Sequence, residues 1–119
     1  MAVAPANAAG HTVVAYTTDS DSGVAGGKAI FHGNTDPEWA QVCDTKADGM
    51  RAWAQVSWRQ HGQWQDFTLE DADGSSSFCD NDHAKQHQIP EGTQVTIEVC
   101  LKDGANGPRK YCGSNITDA

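Results

Sequence analysis

Four carboxylates lie close together in the middle of the chain, at Asp66, Glu70, Asp71 and Asp73. A pair of carboxylates can hydrolyse a glycosidic bond, with one acting as acid and the other as base or nucleophile. The last two acids, however, belong to the run Asp-Ala-Asp-Gly, and Asp followed by Gly is typical of a turn. We therefore interpret them as solvated turn residues and not as catalytic groups.

The same run resembles the start of a calcium-binding loop. Such a loop needs a glutamate at its twelfth position and a helix on each side, whereas the twelfth position counted from Asp71 is Asp82. His83 and His87 would bind a transition metal together only on a helix, and the nearby Pro90 favours a loop. The sequence predicts no metal site and no cofactor.

Nucleophilic catalysis needs a nucleophile, a base and an orienting group that are held together. The chain is rich in Ser, Asp and His, so such trios arise by chance, and no nucleophile sits in a recognisable glycine-flanked turn. We therefore expect a protein without enzymatic activity.

The four cysteines are Cys43, Cys79, Cys100 and Cys112. A zinc site built on these cysteines needs close Cys-x-x-Cys or Cys/His pairs, which we do not find here, so the even count in a small exported chain favours two disulfides. Residues 103–108 between the last two cysteines are a strong turn sequence, which predicts a local bridge from Cys100 to Cys112. A bridge from Cys43 to Cys79 then follows by elimination.

Apolar residues fall in short alternating runs, which predict antiparallel β-strands. The predicted strands cover residues 28–32, 39–44, 51–60, 63–70, 76–80, 93–101 and 109–115. This pattern predicts an all-β fold, a two-sheet antiparallel sandwich of immunoglobulin-like type with about seven strands. A small barrel is the alternative.

The clearest local prediction is a hairpin whose turn is formed by residues 61–62. A two-residue turn places Val56 opposite Phe67 on one face and Arg59 opposite Trp64 on the other. The first pair is apolar throughout, so the register agrees with a core on that face.

Two of the four tryptophans, Trp53 and Trp64, fall on the outward face of this hairpin. Outward tryptophans bind sugars or anchor protein interfaces. The alternatives are that Trp53 packs under a loop and that Trp64 stacks on Arg59. Both interpretations stay open for Trp53, whereas stacking is favoured for Trp64.

The chain has 119 residues, which indicates one domain, and a formal net charge of −8. An acidic domain is repelled by nucleic-acid phosphates and by anionic lipids, and the apolar runs are too short to cross a membrane. We therefore expect neither a nucleic acid nor a membrane as a partner.

The N-terminal part divides into three segments. Small residues in an Ala-x-Ala pattern within residues 1–9 resemble the end of a secretory signal, which predicts a secreted, extracellular protein. Residues 10–27 have the composition of a flexible arm and linker. The β-sandwich domain is then expected to span residues 28–119.

The arm carries Val13, Val14 and Tyr16, which are good strand formers. Apolar side chains that stay exposed on a soluble protein promote aggregation, so we expect another surface to cover these three residues. The arm can return to the edge of its own sheet, or it can add to a partner. We favour the partner and predict a protein-binding site comprising Val13, Val14, Tyr16 and Trp53.

Three segments of the sequence, at residues 27–31, 42–49 and 90–101, resemble segments of the small secreted β-sandwich proteins of filamentous actinobacteria. Some members of that group resemble the adaptor subunits of umbrella-shaped antibacterial toxin particles. There, a small sandwich joins a stalk protein to a lectin-bearing subunit, and an N-terminal arm threads into a cleft of the partner. The resemblance implies the same fold, secretion and an adaptor role for this chain.

The expected function is therefore a secreted, non-enzymatic binding or adaptor module that joins protein partners. Two alternatives remain. One is a secreted inhibitor of an extracellular enzyme that acts through the loop at residues 103–108, and the other is a carbohydrate-binding module that uses Trp53.

Overall fold

The computed structural model describes residues 11–19, 26–33, 38–45, 50–71, 79–81, 89–104 and 106–119. Within these residues the chain forms eight β-strands. They are β1 (Thr12–Tyr16), β2 (Gly27–His32), β3 (Trp39–Asp44), β4 (Arg51–Gln60), β5 (Gln63–Asp71), β6 (Asp80–Asn81), β7 (Gln94–Lys102) and β8 (Arg109–Asp118). No helix that could cross a membrane occurs in this part of the chain. The signal remnant predicted for residues 1–9 lies outside the described residues.

The strands form two antiparallel sheets of four strands each. The first sheet has the order β1-β2-β3-β6, and the second has the order β5-β4-β7-β8. The prediction of an all-β, two-sheet antiparallel sandwich is confirmed, and this arrangement is compatible with the immunoglobulin-like type. The strand count exceeds the prediction because β1 belongs to the first sheet.

The core lies between the two sheets and is built by alternation along each strand. Phe31 of β2, Val56 of β4 and Ile97 of β7 are completely buried. Trp58 and Phe67 meet edge to face, with 6.1 Å between their ring centroids. Burial of each such side chain stabilises the fold by about 1.5–3 kcal/mol, and the sandwich depends mainly on this layer.

The predicted β4–β5 hairpin is confirmed. Val56 lies opposite Phe67, and Arg59 lies opposite Trp64. Both turn residues have positive φ, 55° at the histidine and 76° at the glycine. This backbone conformation matches the right-handed twist of the two strands and therefore fixes the register.

Both predicted disulfides are present, Cys43–Cys79 and Cys100–Cys112. The first joins β3 to the residue that precedes β6, across a sequence separation of 36. The second joins the neighbouring strands β7 and β8, across a separation of 12. Each bridge stabilises the sandwich by about 2–4 kcal/mol, largely by restricting the unfolded chain.

The N-terminal segment differs from the prediction. β1 pairs antiparallel with β2 along its whole length, with Thr12 opposite His32 and Tyr16 opposite Lys28. Residues 12–16 are therefore an edge strand of the sandwich and not a free arm, and the domain begins before residue 28.

The inward side of β1 explains why this strand stays on its own sheet. Ala15 is only 2% exposed and belongs to the core cluster. Val13, which was predicted to bind a partner, is partly buried and packs against the same cluster. Apolar burial, which the poorly alternating sequence of the arm did not reveal, decides where the strand lies.

The chain is fixed again immediately after β1. The carboxylate of Asp19 accepts a hydrogen bond from the backbone N–H of Gly26 and another from the hydroxyl of Thr17. All three residues are buried. These residues of the predicted linker thus belong to the folded domain, whereas residues 20–25 lie outside the described part.

The second edge of β1 faces β8 of the other sheet, a contact that we call the β1–β8 seam. The backbone N–H of Thr18 donates to the carbonyl of Tyr111 at 2.9 Å. The side-chain amide of Asn115 donates to the carbonyl of Val14 at 3.1 Å. The seam closes the sandwich along one side by joining its N-terminal and C-terminal strands.

Gly113 permits this close approach. A Cβ atom at this position would overlap the carbonyl oxygen of Tyr16 and lie 3.1 Å from its carbonyl carbon. The seam therefore requires a residue without a side chain at this point of β8.

Candidate functional site

Alternation along β1, β2 and β3 places one set of side chains on the outer face of the first sheet. We call this surface the first-sheet face, and its solvent-accessible members are Thr12, Val14, Tyr16, Lys28, Ile30, His32, Trp39 and Gln41. All of them are half-buried or exposed, and Tyr16 is 57% exposed. Most members of this face are apolar or aromatic, and Lys28 is the one member with a full charge. The face therefore differs from the chain as a whole, which has a net charge of −8.

One end of the first-sheet face is ordered by a ring stack. The rings of His32 and Trp39 lie nearly parallel, with 3.9 Å between centroids and 12° between planes. His32 also shares a hydrogen bond of 2.9 Å between its Nε2 and Oε1 of Gln41. These contacts hold both rings in fixed positions, so a partner that binds here loses little side-chain freedom.

The structure separates the four residues of the predicted protein-binding site. Val14 and Tyr16 lie on the first-sheet face, whereas Val13 points into the core. Trp53 lies on β4, on the outer face of the other sheet. Two of the four residues are thus brought together.

Sequence reasoning missed the other large members of this face, Ile30, His32 and Trp39. The signal was present in β2, because a strand that turns Ala29 and Phe31 inward must turn Ile30 and His32 outward. The neighbour of His32, Trp39, follows only once the pairing of β2 with β3 is known.

A cleft lies at one end of the outer face of the second sheet, and we call it the Trp53 cleft. Its volume is about 560 Å³, and its lining residues are Trp53, Lys102, Asn106, Gly107, Pro108 and Arg109. Trp53 is only 9% exposed, and Cζ of Arg109 lies 4.4 Å from the centroid of its ring. Trp53 is therefore covered by Arg109, the first residue of β8, and its ring is not an open platform for a sugar.

Glu70 organises the charges beside this cleft. Its carboxylate accepts a hydrogen bond from Nη1 of Arg51 at 2.6 Å and another from Nζ of Lys102 at 2.9 Å. Burial of the Glu70 carboxyl by itself raises its pKa, but the hydrogen bonds and positive charges of Arg51 and Lys102 outweigh this effect. The pKa of Glu70 therefore lies below its ordinary value.

Trp64 lies at the opposite end of the same sheet face and is 64% exposed. Cζ of Arg59 lies 5.5 Å from the centroid of its ring, which confirms the predicted stacking. Nη2 of Arg59 also donates to the carbonyl of Gly62 at 2.8 Å. The second sheet thus carries two pairs of arginine on tryptophan, one beside the Trp53 cleft and one beside a smaller depression of about 150 Å³.

The candidate carboxylates do not form one site. Glu70 points to the outer face, whereas Asp71 is 1% exposed and accepts a hydrogen bond of 2.9 Å from the backbone N–H of Asp44. Asp71 is therefore the last residue of β5 and a buried structural acid, so its interpretation as a solvated turn residue was wrong. Asp73, Asp82 and the two histidines considered for metal binding lie outside the described residues.

Comparison of the chain with protein-family models, with curated proteins and with solved structures found no match.

Proposed function

We propose that this protein is a secreted binding module without enzymatic activity, and that the first-sheet face docks a protein partner. The observation that carries the proposal is the composition of this face. Val14, Tyr16 and Ile30 present apolar surface beside the stacked rings of His32 and Trp39. Aromatic and aliphatic side chains in this density are typical of the centre of a protein interface.

Charge specifies the chemistry of the partner. The chain has a net charge of −8, whereas the first-sheet face carries only Lys28 as a full charge. A largely apolar face on a chain of this net charge fits a partner that has an apolar patch and is basic overall. Long-range attraction would accelerate the encounter, and the apolar contacts would then supply most of the affinity.

Two disulfides in a small all-β domain agree with an extracellular location. The resemblance to the adaptors of umbrella-shaped toxin particles extends the proposal to a protein that joins two partners in an antibacterial particle. The docking element differs from that expected from the resemblance, because residues 12–16 lie in β1. Val14 and Tyr16 would act as part of a sheet face and not as a threaded arm.

The test compares exposed residues on the two sheets. Tyr16→Ser and Ile30→Ser remove apolar surface from the first-sheet face, and Trp64→Ser removes an aromatic of similar exposure from the second sheet. Each variant is first checked for an unchanged melting temperature and is then used to capture partners from the culture fluid of the producing organism. Affinity is measured with the purified partner.

We expect one basic extracellular protein that is retained by the wild type and by Trp64→Ser. Its affinity should fall at least about tenfold for Tyr16→Ser and for Ile30→Ser, as expected for central interface residues. Equal capture by all variants contradicts the proposal, and so does a loss that Trp64→Ser shares. Self-association that Tyr16→Ser abolishes would make a second copy the occupant and would also overturn it.

A further inference from the structure

The Trp53 cleft lies on the sheet opposite to the first-sheet face and is independent of the function proposed above. Its volume of about 560 Å³ is within the range of about 300–1,000 Å³ that is usual for small-molecule sites. The cleft is floored by Trp53 and walled by Pro108, and its remaining lining residues offer hydrogen-bond donors. Its size and lining therefore suit a small ligand with one polar end.

Charge sets the cleft apart from the rest of the protein. Both charged side chains that line it, Lys102 and Arg109, are cationic, although the chain has a net charge of −8. Lys102 is only partly compensated, because its partner Glu70 also binds Arg51. Glu98 lies beside the Cys100–Cys112 bridge and is not among the lining residues.

Arg109 is the group best placed to bind an anion. Its guanidinium is positioned by the ring of Trp53 at 4.4 Å. Within the described part of the chain, no carboxylate lies in salt-bridge contact with it. A guanidinium with a fixed position and available N–H donors matches the two oxygens of a carboxylate. The side-chain amide of Asn106 and the ammonium of Lys102 lie on the same cleft and add further donors.

We propose that the Trp53 cleft binds a small molecule through a carboxylate group, with Arg109 as its principal contact. The covered ring of Trp53 leaves no face for a sugar to stack on, so the carboxylate provides the recognition. A monovalent small anion is favoured over an acidic macromolecule, because the net charge of the protein repels polyanions. Sugar acids and acylated amino acids both present this chemistry.

The test follows amide and indole N–H signals of the ¹⁵N-labelled protein during titration at constant ionic strength. The probes are glucuronate and N-acetylalanine, each with one carboxylate, and their neutral counterparts are glucose and N-acetylalaninamide. We expect saturable shifts at the indole of Trp53 and at the amides of Gly107 and Arg109, with at least one carboxylate and with neither neutral probe. The probe that binds more tightly identifies the source of the carboxylate.

The two arginine–tryptophan pairs of the second sheet provide a test variant and a matched control. Arg109→Gln should weaken binding at least about tenfold, as expected for loss of a charge-assisted hydrogen bond, and Arg109→Lys should weaken it less. Arg59→Gln removes the corresponding arginine over Trp64 and should leave the affinity unchanged. The proposal is overturned if neither carboxylate gives saturable shifts, if the neutral probes bind equally, or if Arg109→Gln and Arg109→Lys both bind as the wild type does.

Discussion

Substitution of Gly113 by alanine is the most direct test of the β1–β8 seam. Replacement of glycine within a strand ordinarily stabilises by about 0.5–1 kcal/mol, because glycine has more freedom to lose on folding. Here the added methyl group would overlap the carbonyl oxygen of Tyr16. The structure and the general propensity therefore predict opposite signs.

The size of the effect follows from the two ways in which the overlap can be relieved. Compression of the neighbouring atoms costs about 1–3 kcal/mol, as in other overpacked sites. Separation of β1 from β8 instead breaks the bonds from Thr18 to Tyr111 and from Asn115 to Val14, at about 0.5–1.5 kcal/mol each. After subtraction of the propensity gain, the net loss is about 1–2 kcal/mol, or a melting temperature lower by about 4–8 °C.

The assay is thermal and urea unfolding of the wild type, of Gly113→Ala and of Ser114→Ala, whose residue is exposed on the same strand. Ser114→Ala should change the melting temperature little. In a variant without residues 1–16, Gly113→Ala should become stabilising, because the overlapping carbonyl is gone. A rise in melting temperature for Gly113→Ala in the complete chain would refute the seam.

Three further predictions concern elements that hold the sandwich together. Replacement of both Cys43 and Cys79 by alanine should destabilise the fold by about 4 kcal/mol, and replacement of Cys100 and Cys112 by about 3 kcal/mol, because the larger loop has the larger closure entropy. Urea unfolding measures both free energies, and the reverse order would contradict this explanation. Removal of β1 should lower the unfolding midpoint, because Ala15 leaves the core, and an unchanged midpoint would show that β1 is not part of the cooperative unit. The ionised carboxylate of Glu70 stabilises the fold fully when the pH is above the ordinary pKa of 4.5. This stabilisation is lost as the pH falls through the lowered pKa. Glu70→Gln should therefore unfold with a flatter dependence on pH in this acidic range, and identical profiles would rule out the linkage.

The sequence predicted three strands of the second sheet well, because apolar residues alternate along much of β4, β5 and β7 and the turn between β4 and β5 has a distinctive pair of residues. Val56 and Phe67 could be paired before any coordinates were known, and both disulfides followed from spacing. β1 was assigned wrongly because its apolar residues do not alternate cleanly. Its place depends on pairing with β2 and on contact with β8, and neither is encoded locally.

The candidate sites were predicted less well for the same reason. The strand pattern predicted that the side chain of Trp53 points outward. That Arg109 covers its ring could not be predicted, because this contact depends on the path of the chain after β7. The first-sheet face requires three strands to be placed side by side before His32 meets Trp39. Surfaces of this kind arise from tertiary pairing, so single-strand patterns identify their members only in part.

The β1–β8 seam also imposes an order on events during biosynthesis. Asn115 and Val14, which meet across it, are separated by 101 residues. At about 5–20 residues per second, β8 leaves the ribosome roughly 5–20 s after β1. β1 can find its partner β2 early, but the sandwich cannot close until β8 has been made. The nascent domain thus remains incompletely folded until its last strand emerges.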